Sequence, residues 1–284
     1  MRNCGADART AGSELGASIA HIRDHEGEGM KIVAVTGGAS GIGRAACEVL
    51  AAKGWKVVVL DVNAEGAHQV AARIGGIAYA LDVGDEKAVE TVAARVEKEV
   101  GPVFGLVNSA GILASPVPPE ELSIAEWDRV VHINQRGTYV TSLAFGLRMK
   151  ARHAGAIVNV ASITAWRSVP LHSYAPTKAA IVSITRNLAA EWGPSGVRVN
   201  SVSPGFTRSP ALQAKLDSGE RDASALERAT ALRRLMEPEE SAYAMAFLLS
   251  DEAAGITGID IPVDGGWLVA QSWASYPRVR GDWP

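Results

Sequence analysis

The chain offers almost no sulfur chemistry. Cys4 and Cys47 are its only cysteines in 284 residues, and neither belongs to a Cys-x2-Cys or Cys/His ligand spacing. A disulfide framework and a zinc module are excluded, no metal site is expected, and a reducing cytoplasm fits. No run of about 18 apolar residues occurs, so no membrane span is expected. Charge of one sign is missing too: 28 Lys and Arg face 31 Asp and Glu, a net −3. Without a basic stripe, nucleic acid is excluded as the main partner. The first 29 residues lack an apolar h-region, and Asp7, Glu14, Asp24, Glu26 and Glu28 put acids where transit peptides have few. Residues 1–29 read as a flexible tail. Met30, directly before the first strand, is a candidate start of the natural protein.

What is present is a large apolar fraction, 47% against 21% charged, enough for a sizeable core. From residue 31 onward, short β-branched runs alternate with Ala-rich helical ones. Strands are expected over 31–35, 56–60, 77–81, 103–108, 156–161, 197–202 and 259–262. Helices are expected over 42–52, 63–73, 85–100, 123–149 and 174–192. Strands as uniformly apolar as Val57-Val58-Val59-Leu60 are those that helices cover on both faces. The alternation predicts one α/β domain over 30–268, a Rossmann-like, doubly wound parallel sheet of about seven strands. The segment 205–237 breaks the rhythm with polar, helix-prone sequence. It reads as a substrate lid, or as an ordinary surface helical pair. A C-terminal tail covers 269–284.

The first strand runs into Thr36-Gly37-Gly38-Ala39-Ser40-Gly41-Ile42-Gly43 and then a helix. Glycines at 37, 41 and 43 let backbone approach a pyrophosphate, and the helix N-terminus supplies N–H groups and a positive dipole end. A glycine pattern alone is also compatible with a plain capped turn, but here it lies between strand and helix as the motif requires. The second strand ends on Asp61. A carboxylate there can accept from both ribose hydroxyls of NAD and would repel the 2′-phosphate of NADP. No basic residue at Ser40, Val62 or Asn63 offsets it. The rival role for Asp61 is a helix N-cap.

Far downstream stands Tyr174-Ala175-Pro176-Thr177-Lys178. Tyr and Lys four apart share a helix face. An ammonium beside a phenol favours the phenolate, and a Tyr so tuned can exchange a proton with a carbinol hydroxyl. Alone, such a pair is usually an ordinary helix surface; the glycine loop gives it weight.

Together these motifs make the sequence resemble the short-chain dehydrogenase/reductase family over nearly all of 30–268. Thr36–Gly43 resembles its TGxxxGxG loop, and Asp82-Val83 its adenine-contacting pair. Asn108-Ser109-Ala110-Gly111 resembles its NNAG stretch, with Ser109 for the second Asn. Asn134, Ser162, Asn200, Pro204-Gly205 and Asp264-Gly265-Gly266 fall at further family positions. The resemblance implies Tyr174 as general acid/base and Lys178 as its partner on the nicotinamide ribose. It implies Ser162 as hydrogen-bond donor to the substrate oxygen, Asn134 as holder of a relay water, and Thr207 as carboxamide contact. The implied cofactor contacts are Gly37, Ser40, Gly41, Ile42, Gly43, Asp61, Asp82, Val83, Asn108, Ala110, Gly111, Tyr174, Lys178, Pro204, Gly205 and Thr207. Ser162 stands one residue closer to Tyr174 than is usual in the family. Ala161 takes the usual place, and Ser168 and Ser173 are the alternatives.

The expected activity is hydride transfer between NAD(H) and a secondary alcohol/ketone pair. Its rivals are an NADPH-linked 3-oxoacyl-type ketone reductase and a non-enzymatic NAD-sensing protein on the same fold. Trp166, His172, Phe206 and Arg208, with Gln213 and Trp267, are expected near the pocket mouth. For Trp166, His172 and Arg208 a plain loop or surface role is the alternative. The tail, with Trp273, Tyr276, Arg278, Arg280 and Trp283, carries interface-type residues. The long helices 123–149 and 174–192 resemble family pairing surfaces, which implies a homotetramer or homodimer.

Overall fold

The structure, a computed structural model, describes residues 30–270, 272 and 273. The expectations for the N-terminal tail, for Cys4 and for most of the C-terminal tail lie outside the described residues. Seven strands form one parallel sheet. They are β1 (Ile32–Thr36), β2 (Lys56–Asp61), β3 (Ile77–Ala80), β4 (Val103–Asn108), β5 (Gly155–Val160), β6 (Val197–Pro204) and β7 (Asp260–Val263). Their spatial order is β3-β2-β1-β4-β5-β6-β7, the order of a doubly wound Rossmann-like sheet. The direction of winding reverses between β1 and β4, and a crevice opens there at the carboxyl ends of the strands.

Alternation along the strands splits the core in two. Val33, Val35, Val57 and Val59 point into a layer with Leu50 of α1 (Gly41–Ala52), Val70 of α2 (Ala64–Ile74) and Met245 of α9 (Pro238–Leu249). Ala34, Val58 and Leu60 point into the other, with Val96 of α3 (Glu86–Glu99), Phe145 of α5 (Gly137–Ala151) and Trp192 of α6 (Tyr174–Trp192). This is why the strands read as unbroken apolar runs: each face has its own helical cover. Helices α5 and α6 approach closely because Gly146 leaves room for an indole; a Cβ there would lie 2.3 Å from a Trp192 ring carbon.

The helix expected over 123–149 is not continuous. Ser123 caps α4 (Ile124–Val130), its hydroxyl accepting from the Glu126 N–H. A π-helical turn, Val131–Arg136, follows before α5. There the Gly137 N–H reaches the His132 carbonyl five residues back. Such bulges mark functional sites, and this one carries Asn134. The 205–237 insert forms two short helices, α7 (Pro210–Asp217) and α8 (Ala223–Arg228). The four-residue α10 (Trp267–Ala270) closes the described chain but for residues 272 and 273.

Candidate active site and cofactor crevice

The glycine loop crosses the switch point and touches the loop after β4. Gly37 has φ 67°, and a Cβ on it would lie 2.8 Å from the Ala110 Cα. A Cβ on Gly43 would lie 2.1 Å from the Gly37 carbonyl oxygen. Neither position accepts a side chain, so the loop folds tightly onto 109–110. The Thr36 hydroxyl locks the two loops, accepting from the N–H groups of Ser109 (3.1 Å) and Ala110 (3.2 Å). Ser40, the N-cap of α1, has extended backbone and makes no side-chain cap bond, and no acidic residue stands in the first turn. The helix therefore presents uncapped N–H groups to the crevice, as an anion requires.

Asp61 lies at the crevice edge. Its Oδ2 accepts from the Ala39 N–H (3.0 Å) and its Oδ1 from the Asn63 N–H (2.9 Å). The N-cap of α2 is Asn63, whose side chain accepts from Gly66, so the rival cap role for Asp61 does not hold. Each carboxylate oxygen keeps a lone pair for another donor. Tight glycines, uncapped amides and a partly free carboxylate fit a dinucleotide.

Two residues expected at the cofactor have side chains engaged within the protein. The Asn108 side chain donates to the Ser142 hydroxyl and to Asn159 Oδ1, both at 2.9 Å, and accepts from the Thr141 hydroxyl at 2.7 Å. It is 2% exposed, so it knits β4 to α5 and β5. The Val83 side chain is buried in the core. Asp82 is exposed, its Oδ1 accepting from the Gly84 N–H.

At the ends of β5 and β6 a cavity of ≈ 240 Å³ opens, with Ser162 and Tyr174 in its wall. Ile42 of the glycine loop, Pro204, Gly205, Phe206 and Thr207 also line it. Tyr174 begins α6, and Pro176 falls in that helix's first turn, where a missing N–H costs little. Burial pushes the Tyr174 phenol up to about 12, while a hydrogen bond with Ser162 pulls the other way. Burial also brings the Lys178 ammonium down to about 8. The Lys178 Nζ lies 5.4 Å from the Tyr174 ring centroid and donates to the Val160 carbonyl at 2.8 Å. In the protein alone, burial dominates and the phenol is raised, opposite to the downward tuning expected from sequence. Ser162 is the hydroxyl that meets Tyr174; Ala161 beside it has none, and neither Ser168 nor Ser173 lines the cavity.

Asn134 is fully buried. Its Oδ1 accepts from the Ile112 N–H (2.8 Å) and its Nδ2 donates to the Ile112 carbonyl (2.9 Å), clamping the loop after β4. A Cβ on Gly111 would lie 3.2 Å from Asn134 Oδ1 and 3.8 Å from Lys178 Nζ, so these three residues converge.

The expected substrate residues divide. Phe206 lines the cavity, edge-on to Trp267 at 5.7 Å. Trp166 does not: its indole N–H donates to Asp260 at 2.9 Å on the surface, and the Arg186 guanidinium covers its ring. His172 faces a separate groove with Pro119, Leu122, Ile124 and Trp127. Arg208 turns away to pair with Glu227 (3.1 Å) and Glu237 (3.3 Å), bracing the insert. Gln213, also expected at the mouth, bonds Asp217 within α7. Sequence reasoning missed Leu113, Val169, Leu171, Leu212, Lys215 and Arg221, all in the cavity wall. The polar run inside the insert was the signal for the last two.

A family model described as enoyl-(acyl carrier protein) reductase matches residues 37–268. The chain is 41% identical over 245 residues to D-threitol dehydrogenase of Mycolicibacterium smegmatis, spanning 84% of this chain and 93% of that protein. It is 39% identical over 247 residues to cyclopentanol dehydrogenase of Comamonas sp., spanning 84% and 96%. A solved structure described as ribose-5-phosphate isomerase from Brucella melitensis 16M superposes with a TM-score of 0.85 at 47% identity, over 87% of this chain and 96% of that one.

Proposed function

The chain belongs to the short-chain dehydrogenase/reductase family, and from that premise we propose that it moves hydride between NAD(H) and a secondary alcohol or its ketone, with Tyr174 as general acid/base. One observation carries the proposal: Tyr174 and Ser162 share the wall of an apolar cavity with Ile42 and Thr207, at the end of the glycine-loop crevice. The bound nicotinamide would take or give the hydride and add a positive charge when oxidised. Tyr174 holds the proton that the alcohol oxygen loses or gains. Ser162 donates to that oxygen and to the charge developing on it. Lys178 and Asn134, converging beside Gly111, hold the polar end of the site and its route for protons. Thr207 stands where a carboxamide would be oriented.

The preference for NAD rests on Asp61, whose free lone pairs suit ribose hydroxyls and repel a 2′-phosphate. The insert acts as a lid in this reading, because Leu212, Lys215 and Arg221 bring its inner side to the cavity. A cyclic or branched secondary alcohol fits the lining better than a polyol, since Leu113, Val169, Leu171 and Phe206 offer no hydrogen bonds. Cyclopentanol dehydrogenase is one relative whose named substrate has that character. We also infer a homodimer or homotetramer, supported by the exposed Tyr139 and Leu147 on α5.

The test is reduction of NAD+ and NADP+, followed by cofactor absorbance, against a panel of secondary alcohols. Turnover favouring NAD+ and lost in Tyr174→Phe is the expected result. Turnover with NADPH on a 3-oxoacyl thioester would instead favour that reductase. Binding of NADH with no turnover of any alcohol or ketone would favour a sensor.

A further inference from the structure

Besides the hydroxyls of Thr164, Thr207 and Ser209, the otherwise apolar cavity wall is polar at two places. One is the Ser162–Tyr174 end; the other is the insert, which contributes two cations, Lys215 and Arg221, and no acid. Among the described residues, no Asp or Glu lines the cavity. Both cations are half-buried. Lys215 shares its charge with Glu220 at 2.8 Å. Arg221 has no ion pair among the described residues, while Arg208 and Arg234 of the same insert are each paired with a carboxylate.

The local backbone fixes this arrangement. The Arg221 N–H donates to the Lys215 carbonyl at 3.0 Å, which closes the loop between α7 and α8 and brings the two side chains to one wall. The neighbouring acids are otherwise engaged: Asp222 caps α8 through the Ser224 N–H, and Asp217 accepts from Gln213. A half-buried guanidinium without a carboxylate, facing an apolar space, is costly unless an anion arrives to meet it.

We propose that Lys215 and Arg221 are the specificity determinants of this site, and that its substrate is a secondary alcohol or ketone with a compact apolar body and a carboxylate distal to the reacting carbon. The inference deepens the hydride-transfer reading and rests on it for the identity of the reacting group. The apolar body lies against Leu113, Val169, Leu171 and Phe206. The carboxylate meets Arg221, whose planar fork suits bidentate contact, with Lys215 as a second donor.

The experiment compares levulinate with its amide, ketones of one skeleton that differ in charge. Affinity is measured by calorimetry on the whole chain, alone and with NADH, and reduction is followed in parallel. Levulinate should bind roughly 10- to 100-fold more tightly than the amide, the range of a charged hydrogen-bonded pair. Arg221→Gln should bring that ratio close to one, Arg221→Lys should restore part of it, and Arg221→Glu should invert it. Equal affinities in the wild type, or a ratio that Arg221→Gln and Lys215→Gln leave unchanged, would overturn the proposal. So would a loss in NADH affinity with both ketones weakened alike, since the cations would then serve the cofactor's pyrophosphate. Binding needs no turnover. A chain that reduces neither ketone leaves hydride transfer to the alcohol panel, while the affinity ratio still decides the anion site.

Discussion

At the scale of single residues, the two groups at the centre of the site are both held away from their ordinary ionisation, in opposite directions. Tyr174, pushed up to about 12 by burial, is a protonated phenol at neutral pH. In the proposed reaction it gives this proton to a ketone oxygen, and becomes a base only when positive charge is added beside it. Ketone reduction should therefore be fast at neutral pH and fall as pH rises. Alcohol oxidation should climb over the same range. Tyr174→Phe should lose roughly 10²–10⁴-fold in kcat and both limbs of the profile, with its melting temperature held. Lys178 carries the opposite sign. Its folded pKa is depressed from 10.5 to about 8, so its contribution to stability is present above 10.5 and is lost as pH falls through 8. At pH 7 the buried ammonium costs about 3 kcal/mol, from 1.36 kcal/mol per unit, less what its bond to the Val160 carbonyl returns. Lys178→Met should abolish turnover yet stabilise the fold by roughly 1–3 kcal/mol at pH 7. Urea melts should show that gain shrinking between pH 8 and 10.5; a destabilised variant at pH 7 would refute it. The Tyr–Lys pair was legible because its spacing and the glycine loop are local patterns. Trp166, His172 and Arg208 were not, because a neighbour in sequence is not a neighbour in the cavity. Asp260, Arg186 and Glu227, which claim Trp166 and Arg208, lie 19 to 94 residues away in the chain.

At the scale of elements, the strands and the long helices were legible almost to the residue, since burial on two faces writes itself as continuous apolar runs between turns. The π-helical turn at Val131–Arg136 was not. It goes with a long-range contact: the Asn134 side chain grips the Ile112 backbone 22 residues away, and no periodicity over 123–149 records that. The glycine loop is the reverse case. Gly37 and Gly43 were visible in sequence, and the contacts that make them necessary, Ala110 Cα and the Gly37 carbonyl, explain why. Asp61 joins the two kinds of information. Its carboxylate tethers the loop, through Ala39 and Asn63, and in the proposed function it also receives the ribose hydroxyls. Asp61→Ala should thus do two things. It should cost about 1–2 kcal/mol of stability through the two lost backbone bonds, and it should lower the preference for NAD+ over NADP+ by roughly tenfold or more. Steady-state kinetics with each cofactor on one alcohol would show it. An unchanged cofactor ratio would remove Asp61 from the recognition and leave it a loop tether.

At the scale of the whole molecule, two helices each carry a pair of exposed large apolar side chains, beside single ones such as Ile124 on α4 and Val269 on α10. On α5, Tyr139 and Leu147 are 42% and 53% exposed. On α9, Tyr243 and Phe247 are 57% and 38% exposed, four residues apart and hence on one face. By contrast, the outer face of α6, expected as a pairing surface, presents Ser183, Arg186, Asn187 and Glu191 to solvent. The α5 and α9 helices cover opposite faces of the sheet, one in each core layer, so a contact through one does not compete with a contact through the other. Two independent self-complementary patches generate a tetramer with dihedral symmetry, whereas one gives only a two-fold dimer. Light scattering after size exclusion should then find a tetramer for the wild type. It should find a dimer for Leu147→Asp, a dimer again for Phe247→Asp, and a monomer for the double variant, all with native circular dichroism. If Leu147→Asp alone yields monomers, the α9 face is not an interface and the assembly is a dimer. If neither change alters the mass, the aromatic residues on α9 and the leucine on α5 are plain surface, and the assembly, if any, uses residues outside both helices.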